Sequence, residues 1–202
     1  MIRIKICGLS RPCDIDMVNK AQPDFCGFVV DVPRSRRSVS ADQLRVLRQR
    51  LSPSVTPVGV FVNAPLVQVA ALLNDGTVSL AQLHGQEDAH YIAALRRLTT
   101  APLIQAFRMT DAQDVRRANE SAADLILLDN GAGGTGQRFD WTLTHRIDRP
   151  FILAGGLTPE NLATARAHCK PYAFDLSSGV ETAGYKDANK ISAAVAAVRS
   201  IT

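Results

Sequence analysis

Asp124-Leu-Ile-Leu-Leu-Asp-Asn-Gly-Ala-Gly-Gly-Thr-Gly-Gln-Arg-Phe-Asp-Trp141 runs from an apolar segment into a carboxylate, then into glycines, then to the helix-start residue Asp140. The run Asp124–Leu128 has the length and branching of a buried strand, which puts Asp129 at its C-terminal tip. Four glycines follow within seven residues. Glycine permits positive φ and close backbone approach, and ordering such a loop costs chain entropy, so we expect a lid over a ligand.

The same strand-then-helix unit recurs along the whole chain. Candidate strands are Ile2–Ile6, Phe25–Val30, Pro57–Val62, Val78–Leu83, Leu103–Phe107, Asp124–Leu128, Phe151–Ala154 and Tyr172–Leu176. Helical stretches fall near residues 12–21, 41–51, 65–73, 87–98, 111–119, 140–146, 159–168 and 188–199, with start signals at Asp111, Asp140 and Thr158-Pro159. Eight such units without a composition break predict a single-domain (β/α)8 TIM barrel of eight parallel strands over residues 1–202. No Gly-x-Gly-x-x-Gly follows the first strand, which weighs against a doubly wound dinucleotide-binding sheet.

A chain of 202 residues with 46% apolar content buries a sizeable core. No apolar run is long enough for a membrane span, and Met1-Ile-Arg-Ile-Lys-Ile-Cys7 lacks the layout of a secretory signal, so a cytoplasmic protein without membrane partners is expected. Cys7, Cys13, Cys26 and Cys169 show neither a C-x-x-C pair nor Cys/His ligand spacing, which predicts free thiols and no metal. The net charge of +4 comes mostly from scattered residues, with Arg34-Ser-Arg-Arg37 the one cluster. Without a basic-aromatic motif, a small anionic substrate is expected rather than nucleic acid.

In a barrel of this kind the active site lies at the C-terminal strand ends. The polar residues there are Cys7, Asp31, His84, Arg108, Asp129, Gly155-Gly156 and Ser177-Ser178. Period-two alternation separates Arg3, Lys5 and Cys7 from Ile2, Ile4 and Ile6, and the apolar face should meet the helices. Lys5 and Cys7 therefore point inward.

At these tips the chain resembles the phosphoribosylanthranilate isomerases of tryptophan biosynthesis. The resemblance is carried by Lys5-Ile-Cys-Gly-Leu9, Val58-Gly-Val-Phe-Val-Asn63, Gln82-Leu-His-Gly85, Leu127-Leu-Asp129 with Gly133-Gly-Thr-Gly136 and Phe139-Asp-Trp141, Ile152-Leu-Ala-Gly-Gly-Leu157 with Pro159-Glu-Asn161, and Asp175-Leu-Ser-Ser-Gly-Val-Glu181. It implies an aldose-ketose isomerase that takes N-(5-phosphoribosyl)anthranilate through an Amadori rearrangement, without a cofactor, as a monomer or homodimer. Cys7 resembles the family's base and Asp129 its acid, with Lys5 a source of positive potential for the thiol. Gly155, Gly156, Ser177, Ser178 and Gly179 are expected to offer backbone N–H groups to the phosphate. Arg37 falls in the register of the family's carboxylate-binding arginine, although Arg36 replaces the usual proline and leaves the choice between the two open. Asp175 is expected either to face the ribose or to pair with Lys5, and His84 to support the tip of the fourth strand. Sister phosphate-binding barrels fit less well, because the histidine-pathway isomerases carry an aspartate where this chain has Cys7.

Overall fold

Leucine-rich and β-branched runs form eight parallel strands in the computed structural model, which describes residues 2–129 and 140–201. They are β1 (Arg3–Cys7), β2 (Phe25–Val30), β3 (Thr56–Phe61), β4 (Leu80–Leu83), β5 (Leu103–Arg108), β6 (Leu125–Asp129), β7 (Phe151–Leu153) and β8 (Ala173–Leu176). Each pairs with the next, and β1 pairs with both β2 and β8, so the sheet closes into the expected barrel. Closure removes both free edges. Helices α1 (Pro12–Ala21), α2 (Ala41–Arg50), α3 (Leu66–Asn74), α4 (Ala89–Leu95), α5 (Ala112–Asn119), α6 (Leu162–Cys169) and α7 (Ala188–Ser200) pack outside it. Two-residue strands at Ser38–Val39, beside β2, and at Glu181–Thr182 with Tyr185–Lys186 lie in the loops after β2 and β8.

The structure differs from the sequence reading at two helices. The stretch expected near 140–146 is a 3-10 helix over Trp141–Arg146, capped by Asp140, whose side chain accepts from Thr142 N. Thr144 Oγ1 donates to the carbonyl of Trp141 at 2.7 Å, a side-chain bond that competes with the regular helical ladder. The helix expected from Pro159 begins at Leu162 instead. Asn161 Oδ1 accepts from Thr158 N while its Nδ2 donates to Gly156 O, so residues 158–161 belong to a side-chain-braced turn. The glycine-rich stretch 130–139 lies outside the described residues. Among the described residues, no helix is long and apolar enough to cross a membrane.

Alternation along each strand divides the core in two. Ile4, Ile6, Phe28, Phe61 and Phe174 face outward into one layer with Leu44, Leu72, Ile92 and Ile191 of the helices. Val58, Leu80, Ile104, Leu127, Ile152, Ala154 and Ala173 fill the barrel interior as a separate cluster. Lys5 enters that interior fully buried, where its Nζ donates to Asp175 Oδ2 at 2.8 Å across the β1–β8 seam. Removing one partner of a buried pair leaves an uncompensated charge. Lys5→Met should therefore cost about 3–5 kcal/mol in urea unfolding, and Lys5→Met/Asp175→Leu should recover most of that loss. A double variant no more stable than Lys5→Met would refute this account.

Candidate active site

Cys7 ends β1 on the same face as Lys5, and Asp129 ends β6 on the same face as Leu127, so both point toward the barrel axis at its C-terminal mouth. Opposite Cys7 in the register stands Gly27. A Cβ on Gly27 would come within 2.6 Å of Cys7 Sγ and 3.1 Å of Lys5 Nζ, so the thiol occupies space that any side chain at 27 would fill.

Burial pushes the Cys7 thiol above its ordinary value and Asp175 adds to the push, while the charges of Lys5 and Lys186 pull it back only in part. Lys5 was expected to favour the thiolate. It acts in that direction but does not prevail against burial of the thiol, to which the Asp175 carboxylate adds. Burial disfavours the Lys5 ammonium, but the neighbouring carboxylate of Asp175 more than offsets this and holds it above the ordinary lysine range.

His84 lies beside Asp129, with Nε2 and Oδ2 3.7 Å apart. Gln82 Nε2 meets His84 Nδ1 at 2.8 Å, and since an amide nitrogen only donates, Nδ1 accepts and the proton sits on Nε2, toward Asp129. Burial lowers the His84 pKa against the pull of Asp129, which favours the neutral ring. The contact with Gln82, on the strand that precedes it, is in keeping with the support expected of His84 at the tip of the fourth strand.

Arg37, in the loop after β2, crosses Gly8, where a Cβ would fall 2.4 Å from Arg37 Cδ; Gly8 also has φ +82. Its guanidinium forks onto Glu181, with Nε to Oε1 at 2.7 Å and Nη2 to Oε2 at 2.9 Å. Arg36 reaches the same carboxylate at 2.6 Å, but its side chain is 58% exposed against 16% for Arg37. Buried Lys186 adds a third cation, 2.7 Å from Glu181 Oε1. Burial opposes the Glu181 charge, yet Arg37 and Lys186 hold its pKa below the ordinary carboxylate value.

Two turns flank this cluster. Gly155 and Gly156 follow β7 with φ +86 and +62. Ser178–Val180 forms a 3-10 turn after β8, packed so closely on the first turn that a Cβ on Gly179 would lie 1.9 Å from Leu157 O. Among the described residues, the N–H groups of Gly155 and Gly156 donate to no protein acceptor. Ser177 Oγ donates to Cys7 O at 3.0 Å, joining this side to β1.

Every sequence-predicted site residue therefore lies at one end of the barrel, and Asp175 makes the ion pair that was one of its two expected roles. Glu181, Lys186 and Asn161 were missed as participants. Glu181 and Asn161 stood inside quoted motifs, but no charge pattern in the sequence marks which cation an acid twenty or more positions away will meet.

Residues 4–197 match the family described as PRAI, N-(5'phosphoribosyl)anthranilate (PRA) isomerase. An N-(5'-phosphoribosyl)anthranilate isomerase of Lactiplantibacillus plantarum is 45% identical, over 95% of this chain and 89% of its own. The crystal structure of the phosphoribosyl anthranilate isomerase from Thermus thermophilus is 35% identical with a TM-score of 0.88, covering 100% of both chains. A phosphoribosyl anthranilate isomerase in complex with reduced 1-(o-carboxyphenylamino)-1-deoxyribulose 5-phosphate is 32% identical with a TM-score of 0.85, covering 99% of this chain and 100% of its own.

Because the protonated thiol is favoured in the folded site, Cys7 should alkylate slowly at neutral pH and faster as pH rises. Peptide mapping after iodoacetamide treatment should give a rate midpoint above the ordinary thiol value of about 8.5. A plateau reached at or below that value would contradict the burial account.

Proposed function

The chain belongs to the phosphoribosylanthranilate isomerase family, and we propose that Cys7 is its general base and Asp129 its general acid. The enzyme converts N-(5-phosphoribosyl)anthranilate to 1-(2-carboxyphenylamino)-1-deoxyribulose 5-phosphate in tryptophan biosynthesis. The observation that carries the assignment is the inward projection of both residues at the barrel mouth, beside the turns after β7 and β8.

In the proposed sequence, Asp129 gives a proton to the furanose ring oxygen as the C1′–O bond breaks, producing a protonated Schiff base. Cys7 as thiolate then takes the C2′ proton, the C–H electrons form the enolamine, and tautomerisation gives the aminoketose. A buried thiol that holds its proton at rest suits this order: the positive iminium formed by ring opening would favour the thiolate beside it, and the thiol proton returns through solvent to the Asp129 carboxylate that ring opening has left, which resets the acid. Neutral His84 lies beside Asp129 without placing a cation next to the acid.

Binding is proposed at three further points. The N–H groups of Gly155 and Gly156, with those of the turn at Ser177, Ser178 and Gly179, receive the phosphate. Arg37 receives the anthranilate carboxylate, using Nη1 and the Nη2 hydrogen left over from Glu181. Asp175 accepts from a ribose hydroxyl through Oδ1, which is buried with no partner among the described residues. A mechanism that needs a free thiol suits a reducing compartment, which supports a cytoplasmic enzyme.

The assay is loss of phosphoribosylanthranilate fluorescence with the substrate generated in situ. Cys7→Ser and Asp129→Asn should each lower kcat by about 10²–10⁴ with the fold retained, and near wild-type activity in either would remove that residue from the mechanism. Arg37→Ala should weaken binding of the reduced product analogue by about 1.5–3 kcal/mol, and Arg36→Ala by much less. Equal losses would assign the carboxylate to both arginines.

A further inference from the structure

The loop after β8 is built around a two-residue hairpin. Ala183 and Gly184 both have positive φ, +49 and +84, the backbone of a type I′ turn whose twist matches the strands it joins. The turn sets Glu181 opposite Lys186 in register. It also packs against the outer arginine, since a Cβ on Gly184 would lie 2.4 Å from Arg36 Nη1. Within this hairpin Glu181 is buried, yet it directs both carboxylate oxygens at Arg37 in a planar fork. Lys186 completes the link, with Nζ 2.9 Å from Ser177 O and 2.7 Å from Glu181 Oε1, while Ser177 Oγ reaches back to Cys7 O.

We propose that Glu181 is a positioning residue that aims the Arg37 guanidinium at the carboxylate of the substrate's aromatic ring, and that Lys186 ties this clamp to the turn at Ser177. A free arginine side chain carries rotamer entropy that a ligand must overcome on binding. The fork on Glu181 settles the guanidinium plane in advance and uses two of its five N–H groups, leaving the outer edge for a second planar carboxylate. A carboxylate buried only to hold the loop would not require this geometry on a side chain that reaches the mouth. The inference rests on the reading that Arg37 binds the anthranilate carboxylate.

The test compares binding of reduced 1-(2-carboxyphenylamino)-1-deoxyribulose 5-phosphate with its phenylamino counterpart, which lacks the carboxyl group, by calorimetry. The wild-type enzyme should prefer the carboxylated ligand. Glu181→Gln removes the charge, and Glu181→Asp keeps it but shortens the reach; each should lower that preference roughly tenfold, the scale of a lost charge-assisted hydrogen bond, while affinity for the counterpart stays nearly unchanged. In an Arg37→Ala background, Glu181→Gln should lower the preference no further. If Glu181→Gln does not fold alone, Glu181→Gln/Lys186→Met, which removes one charge of each sign, serves in its place. A wild-type preference in the Glu181 variants with a lost preference in Arg37→Ala overturns the positioning role and leaves the Arg37 reading intact. A wild-type preference in Arg37→Ala overturns both.

Discussion

Lys5 and Asp175 face one another across the β1–β8 seam, 2.8 Å apart and out of water, and neither charge is tolerable there without the other. The pair does more than balance charge. It is the point at which the sheet closes, and it is specific to a single register, because a slip of one residue would bring Ile4 or Ile6 inward and carry Lys5 into the helix layer. With Lys5 opposite Asp175, the next inward positions are Cys7 on β1 and Ser177 just beyond β8. The proposed base and one wall of the proposed phosphate site thus inherit their places from an ion pair one layer below.

The same pair determines what Lys5 can do for Cys7. A lysine beside a thiol invites the inference of an activated thiolate, and the direction of its influence is as that inference requires. Its net effect is set by competition: burial disfavours the thiolate most, and the Asp175 carboxylate that permits Lys5 to be charged inside the barrel opposes it as well. On the proposed mechanism this places the ionisation of Cys7 within the catalytic sequence, after the substrate has acquired positive charge.

Much of this was legible in the residues because two simple periodicities carry it. Period-two alternation in Arg3–Cys7 separated inward from outward positions on the first strand, and the regular succession of apolar runs gave eight strands and closure. The breaks between helix and turn were less legible, since they depend on which hydrogen bonds a side chain finds. Asn161 braces Gly156 and delays α6, and Thr144 turns its hydroxyl onto Trp141, though nothing in either residue type requires it. The partners of Glu181 were hidden for a related reason. Arg37 precedes it by 144 positions, and only barrel closure brings the loops after β2 and β8 together.

That meeting of loops also explains where the chain's positive charge is concentrated. Most basic residues lie apart on helices, whereas Arg36, Arg37 and Lys186 converge on Glu181, three cations to one carboxylate. Lys5 and Asp175 below them cancel, so this cluster by itself keeps more positive than negative charge. Desolvating so many like charges is costly, and packing would be better served by apolar residues of similar volume. On the proposed binding, a ligand carrying both a phosphate and a carboxylate supplies the missing negative charge. Without Glu181, three cations would face one another at this corner with no counter-ion between them, so the carboxylate that orients Arg37 also balances part of their charge.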